Sequence, residues 1–274
     1  MIISDRGLIL RTWPLRETSR IVAVLTRETG KVRLVARGVR GPRSRIGANL
    51  EAGNEVELVF SLKPERDLGQ LRESNLVEPW LTRAQRLDAM AAGWACLELL
   101  DRVVPEGAPG GSLLDITWDV LRALQTCGRR EEAVLHFYAF ELALLAELGL
   151  EPQLSACRLC AGRPAEQVWL DVDAAAWSCN DCHTAGSRGM RLPEAAVLIL
   201  STLAAGSWQA AGLETEAADR RAAGLALHRL LATHVERYRY PRSLQLLKAA
   251  PGAGPDLPPA DSMAPEGEIS SRQR

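Results

Sequence analysis

Four cysteines carry the most specific chemistry in the sequence. Cys157-Arg-Leu-Cys160 and Cys179-Asn-Asp-Cys182 are two C-x-x-C pairs separated by 18 residues. Two thiolates on one tight knuckle supply half of a tetrahedral all-sulfur site, and a hairpin can return the second pair. The spacing predicts one structural Zn2+ on Cys157, Cys160, Cys179 and Cys182, with Val168-Trp169-Leu170 as a strand of the hairpin and Trp177 just before the second knuckle. Two unrelated thiol pairs, or a redox C-x-x-C, are the alternatives. Four thiolates leave no open position for water, and no H-x-E element precedes them, so a catalytic metal is not expected. His183 follows Cys182 directly and reads as a bystander to a site already full. Cys96 and Cys127 lie in apolar helical stretches and read as buried small side chains.

The second constellation is cationic. Residues 1–50 hold 11 Arg/Lys against three Asp/Glu, a net of +8, while the whole chain of 274 residues is at −1. Such a split points to an electrostatic partner for the basic part. In Lys31-Val-Arg-Leu-Val-Ala-Arg37 a strand would place Lys31, Arg33, Val35 and Arg37 on one face, and Val32, Leu34 and Ala36 on the other. The loop that follows adds Arg40, Arg43 and Arg45, and Arg11, Arg16, Arg20 and Arg27 are close in sequence. No Asp or Glu occurs between Lys31 and Leu50. Like charges without counter-charges repel unless a polyanion neutralises them, so Lys31, Arg33, Arg37, Arg40, Arg43 and Arg45, with Arg11, Arg16 and Arg20, are the expected phosphate contacts. A merely solvated basic face is the competing reading. Aromatic residues are few here (Trp13, Phe60 and, at the edge, Trp80), so binding should be electrostatic, salt-dependent and weak in sequence preference. Trp13 reads as packing rather than as a base-stacking platform.

The elements that position these groups are legible from pattern. Gly7–Arg11, Arg20–Arg27, Lys31–Arg37, Glu55–Ser61 and Leu68–Val77 are short, rich in Val, Leu or Ile, and separated by turn residues. Five strands in about eighty residues suit a small barrel, the OB type leading. From about Leu81 the apolar spacing becomes helical over Arg83–Val104, Ser112–Cys127 and Glu131–Leu148, with Gly149 placed as a helix terminator. Two more helices are expected at Pro193–Ala205 and Glu214–Tyr238. The expected class is α+β: a five-stranded OB-type barrel over residues 1–80, then a helical domain over 81–250 with a zinc module inserted at 153–190. Residues 251–274, rich in Pro, Gly, Ser and acid, read as a disordered tail.

Asp5 and Arg6 interrupt the N-terminus before an apolar run can form, which argues against a signal peptide. Ala195–Leu213 is uncharged and near membrane-span length, but Gly206, Ser207, Gln209 and Gly212 favour a buried helix ending near Gly206. No Walker loop, G-x-S-x-G or H-E-x-x-H occurs, and the four histidines are scattered. His136, within an apolar helix, reads as a satisfied core residue. A soluble cytoplasmic protein without catalytic activity is expected, and a metal-dependent nuclease or deaminase finds little support.

Several motifs resemble the RecO family of recombination mediators. These are Gly7-Leu-Ile-Leu-Arg-Thr12, Arg16-Glu-Thr-Ser19, the stretch Thr26–Arg45, Phe140-Glu-Leu-Ala-Leu-Leu-Ala-Glu-Leu-Gly149 leading into the first knuckle, and Arg237-Tyr-Arg-Tyr-Pro-Arg-Ser-Leu244. The likeness spans residues 1 to about 248. It implies an OB domain, a helical domain and a zinc module. It implies binding of single- and double-stranded DNA, annealing of complementary strands, and a nucleoid-associated role in DNA repair. Partners implied are RecR and the acidic tail of single-stranded DNA-binding protein, which together serve recombinase loading. By position the family's DNA-contacting cations fall on Lys31, Arg33 and Arg37. The acidic tail would need an apolar pocket beside a cation, for which Arg122, Arg129 and Arg130 are the candidates; charges complementing a helix C-terminus are the alternative for them. A zinc-ribbon adaptor that binds acidic proteins without touching DNA is the competing function.

Overall fold

The computed structural model describes residues 1–39, 41, 44–62, 68–184, 189–206 and 213–246. The chain is mixed α+β. Its first part is β1 (Ile2–Leu15), β2 (Ser19–Thr26), β3 (Gly30–Ala36), a single helical turn α1 (Arg45–Asn49), β4 (Asn54–Ser61) and β5 (Gly69–Pro79). The strands close on themselves in the order β1-β2-β3-β5-β4. β1 is antiparallel to both β2 and β4, and a short parallel pairing of Leu34–Val35 with Gly69–Gln70 closes the circuit. All five strands fall where the alternation and turn residues put them, although β1 runs well past Gly7–Arg11 at both ends. The turn α1 lies inside the stretch read as a loop. Ser44 caps it, its Oγ accepting from the Gly47 N–H at 3.1 Å, and Leu50 behind it is fully buried in the barrel interior.

Inside the barrel, Ile9, Val22, Val24, Leu34, Val56, Leu58 and Phe60 form a closed apolar core. The outward residues Leu8, Leu10, Ala23 and Leu25 are buried as well, in the core of the helical domain. Runs such as Leu8-Ile9-Leu10 and Val22-Ala23-Val24-Leu25 are apolar without alternation because this side of the sheet is covered on both faces.

The helical domain holds α2 (Leu87–Val103), α3 (Gly111–Gln125), α4 (Arg130–Glu147), α5 (Glu194–Ala204) and α6 (Ala217–His234). α4 is the central helix, buried almost all round from Ala133 to Leu145. Gly149 ends it with φ at +74°, as its position suggests. α5 stops before Gly206, and among the described residues no helix is long and apolar enough to cross a membrane. His136 on α4 is buried, but its Nδ1 has no partner among the described residues, so it is a core histidine only partly satisfied. Cys96 and Cys127 are buried as expected. Between α4 and α5 lies a three-stranded sheet, β6 (Gln167–Asp171), β7 (Ala176–Cys179) and β8 (Met190–Pro193), in the order β7-β6-β8.

The barrel is joined to the helices by a seam at the β2–β3 turn. The Gly107 N–H donates to Lys31 O at 3.1 Å, and the Gly110 N–H to Arg27 O at 3.3 Å. Gly30, at φ +81°, lies so close to the chain that a Cβ would sit 2.1 Å from Ala108 O. Only glycine meets both demands there. The stretch 251–274, read as a disordered tail, lies outside the described residues.

Candidate nucleic-acid interface and metal centre

The cysteine site is assembled by local hydrogen bonds. β6 pairs with β7 from Val168 opposite Cys179 to Asp171 opposite Ala176, so the hairpin delivers the second knuckle. Trp177 on β7 is fully buried and donates its indole N–H to Leu154 O at 2.9 Å. The Arg158 N–H donates to Trp177 O at 2.9 Å, which ties the first knuckle to the strand before the second. The first knuckle turns through Ala161, at φ +58°, whose N–H donates to Cys157 O. In the second, Cys182 and His183 both donate from their backbone N–H to Cys179 O.

The four Sγ atoms lie within 4.8 Å of one another, and Cys160 Sγ is 3.8 Å from Cys179 Sγ. Tetrahedral zinc at a Zn–S distance of about 2.3 Å holds its sulfurs about 3.8 Å apart. The donor set therefore fits a thiophilic divalent cation. Burial raises the Cys157 thiol's pKa, but hydrogen bonds from the backbone of Cys179, Cys160 and Leu159 outweigh it and bring the group down to about 6. Cys182, surrounded by the Cys179 and Cys160 thiols, is pushed up to about 12. His183 stands aside: its ring stacks on Trp169 with centroids 3.9 Å apart and planes 3° from parallel.

The cationic face has a different anatomy. Arg33 is exposed on the outer side of β3 and Arg37 is exposed immediately after its end, with Val35 half-buried between them. Lys31 departs from the expected row. It is only 3% exposed, and its Nζ donates to Asp101 O at 2.6 Å. Its β2 neighbour across the sheet is Leu25, on the side of the barrel that α2 and the following Val104–Gly110 segment cover. Burial holds the Lys31 pKa below its ordinary value, against the opposing pull of Asp101 and Glu106. Alternation gave the correct face for Lys31 but could not reveal that the helical domain lies over that end of it.

Several of the arginines have carboxylate partners from beyond residue 50. Arg33 Nε is 3.1 Å from Glu106 Oε1, and Arg20 pairs with Glu51 at 2.8 Å. Arg11, stacked over Trp13, is 3.9 Å from Asp101 Oδ2. Arg27 pairs with Asp115 and Arg6 with Glu55, and both guanidinium groups also lie over Trp118. Arg16 is exposed in the β1–β2 turn at φ +56°. Arg37 has no ion pair among the described residues. Exposed pairs contribute about 0–1 kcal/mol each, so phosphate can replace the carboxylate at little cost. Arg40 and Arg43 lie outside the described residues, as does the side chain of Arg45.

Arg122 closes the last turn of α3, paired with Asp119 at 2.6 Å and lying over Trp80. Arg129 caps the N-terminus of α4 and Arg130 begins it, so these two do not complement a helix C-terminus. Glu131 and Glu132 follow in the first turn, and Arg129 Nε is 3.0 Å from Glu132. Arg129 borders a groove of about 840 Å³ with Leu198, Ile199 and Leu213 in its lining, and with Glu131, Glu214, Glu216 and Asp219 around them.

A closed barrel with an exposed arginine face, fused to a helical domain bearing a four-thiol knuckle, defines a two-part class in which a cationic surface and a candidate metal site lie on different domains. Residues 1–80 match the family described as Recombination protein O N terminal, and residues 84–244 the one described as Recombination protein O C terminal. The chain is also 34% identical over 238 residues to the DNA repair protein RecO of Frankia casuarinae, covering 86% of this chain and 95% of that protein. The chain belongs to the RecO family of DNA repair and recombination proteins.

Proposed function

We propose that the protein is a recombination mediator that works without catalytic turnover. In this reading residues 1–80 are an OB-type module that binds single- and double-stranded DNA, and residues 81–250 carry the partner surfaces and a zinc module at 153–190. The observation that carries the reading is the exposed pair of Arg33 on β3 and Arg37 immediately after its end, continued by a basic stretch in which no Asp or Glu occurs from residue 31 to residue 50. Arg11, Arg16, Arg20, Arg40, Arg43 and Arg45 extend the contact. Annealing follows from charge neutralisation, because a cationic surface holding two polyanionic strands lowers their mutual repulsion. Cys157, Cys160, Cys179 and Cys182 would hold one Zn2+, which supplies a structural crosslink and no reaction step.

RecR and the acidic tail of single-stranded DNA-binding protein are the proposed partners in loading the recombinase, in the cytoplasm on the nucleoid. Arg129 beside Leu198 and Ile199 offers the tail a cation next to apolar surface, although four carboxylates of the same groove oppose it. Arg122 and Arg130 are the other candidate cations for it.

The test is fluorescence anisotropy with labelled single-stranded DNA. Arg33→Glu combined with Arg37→Glu should weaken binding about tenfold or more at every sequence and flatten the salt dependence, since each phosphate contact on single strands contributes a slope of about 0.7. A double variant with wild-type affinity and slope would refute the barrel-edge site. Loss of binding to an acidic protein with DNA binding intact would favour the zinc-ribbon adaptor instead.

A further inference from the structure

We infer that the segment Arg237-Tyr-Arg-Tyr-Pro-Arg-Ser-Leu244 is a second phosphate-binding surface, which carries a nucleic-acid backbone from the β3 edge onto the helical domain. The inference rests on the barrel-edge reading and extends it.

The segment is a strap laid across the helices after α6, and its residues alternate. Tyr238 and Leu244 are buried, Tyr240 is half-buried, and Arg237, Arg239 and Arg242 are exposed. Both tyrosines grip His228 on α6. The Tyr238 hydroxyl shares a hydrogen bond with His228 Nδ1 at 3.1 Å, and the Tyr240 ring stands edge-on to the imidazole at 5.6 Å. On the other side Glu98 of α2 accepts from the backbone N–H groups of Arg242 and Ser243 at 2.9 and 3.0 Å. Arg102 donates to Arg239 O at 3.1 Å. The strap is therefore fixed by its rings and its backbone, and its three guanidinium groups take no part in holding it to the helices.

Like Arg37, those groups also lack an ion pair among the described residues. Arg239 donates to the carbonyl of its own neighbour, Tyr238 O, at 2.7 Å. Among the described residues no ion pair forms at Arg237, Arg239 or Arg242, in contrast to Arg6, Arg11, Arg20, Arg27 and Arg33 on the barrel. Presenting three cations from one strap without a formed ion pair costs self-repulsion, which a polyanion relieves.

Barrel and strap cations face each other twice. Arg33 and Arg237 line one cleft of about 650 Å³, together with Glu106 and Glu236. Arg11 and Arg242 line another of about 320 Å³, with Arg102, Glu98 and Asp101. A phosphate chain leaving β3 thus has a strap arginine bordering the same cleft as a barrel arginine in both places. The competing ligand is an acidic peptide. Such a peptide needs an apolar pocket beside its cation; the strap's own rings are turned inward, and the smaller cleft offers Leu10, Trp94 and Leu97 only alongside two carboxylates. Glu98 and Asp101 in the smaller cleft, and Glu106 and Glu236 in the larger, repel any anion that enters, which excludes a docked carboxylate, whereas a nucleic-acid backbone can pass over the outward arginines without entering.

The test uses the full chain and a labelled single-stranded oligonucleotide long enough to span both domains, titrated across a salt series. Arg237→Gln, Arg239→Gln and Arg242→Gln together should weaken binding and reduce the magnitude of the salt slope by about two, three contacts at about 0.7 each. The corresponding triple lysine variant should keep the wild-type slope, because the account needs charge and not guanidinium geometry. Oligonucleotides too short to leave the barrel should bind the glutamine variant as they bind the wild type. If the triple glutamine variant melts early, Arg237→Gln and Arg242→Gln singly carry the test. A glutamine variant with wild-type slope on the long oligonucleotide, while Arg33→Glu with Arg37→Glu loses binding, would overturn the strap and leave the barrel reading standing. Loss of an acidic peptide with DNA binding unchanged would likewise overturn it. Failure of both variant sets to alter DNA binding would remove the barrel reading itself.

Discussion

The cysteine knuckles and the β3 edge meet opposite electrostatic problems. The knuckles crowd four ionisable thiols within 4.8 Å of one another. The cationic face of β2 and β3 spreads its charges outward and gives some of them exposed carboxylate partners, such as Glu106 for Arg33 and Glu51 for Arg20. In the proposed reading the first arrangement draws stability from its ligand, since four thiolates cannot stand together without a cation and metal binding must displace the thiol protons. The second already has carboxylate partners for Arg33 and Arg20, and the proposed polyanion would displace those pairs. A metal at the knuckles should therefore matter for folding, and a polyanion at the edge should matter for function and little for folding.

The largest effect that could break this contrast lies at the knuckles. Removing the metal with a chelator, or changing Cys157→Ser, should cost several kcal/mol and lower Tm by on the order of 10 °C. Native mass spectrometry should find one zinc per wild-type chain. A metal-free wild-type protein with all four thiols freely alkylated in the folded state would end the metal reading.

Lys31 sharpens the contrast, because it carries charge on the cationic strand and yet belongs to the folding side. Lys31→Ala removes a buried side chain and the hydrogen bond to Asp101 O. It should cost about 2–3 kcal/mol in a urea melt, while the salt slope of DNA binding stays at the wild-type value. The pH dependence has a definite sign. The folded pKa of Lys31 lies below its ordinary 10.5, chiefly through burial. Between those two values the unfolded chain binds more protons, so wild-type stability should gain a rising contribution as pH climbs toward 10.5. Lys31→Ala should lack that contribution. A changed salt slope in this variant would return Lys31 to the DNA-contacting set.

The knuckles could be read from the sequence because everything that builds them is local. Spacing fixes the turns, Val168-Trp169-Leu170 supplies the strand, and Trp177 seals the hairpin. The five barrel strands were legible for the same reason, their turns being marked by Gly and Pro. What could not be read was through-space. Lys31 looks like Arg33 in the sequence, and only the packing of the Val104–Gly110 segment against the β2–β3 turn separates them. The ion pairs of the edge join residues such as Arg27 and Asp115, 88 positions apart. One clue was available: Val22–Leu25 is apolar without alternation, which means a strand covered on both faces.

The smallest effect concerns the pairs themselves. Arg33 and Glu106 are each more than two-fifths exposed, so their attraction is well screened. Glu106→Gln should free Arg33 and tighten DNA binding by up to about fivefold, the scale of a pair worth no more than about 1 kcal/mol. Weaker binding in Glu106→Gln would mean that the carboxylate orients Arg33 instead of competing for it.

The most direct measurement is the wild-type affinity for single-stranded DNA as a function of salt, made in parallel on a thymine homopolymer and a mixed sequence. Contacts to phosphate by the exposed arginines predict a linear fall of log K with log salt, steeper than about −1.4 from Arg33 and Arg37 alone, and the same for both strands. An affinity that ignores salt, or that exists for only one of the two sequences, would contradict the account.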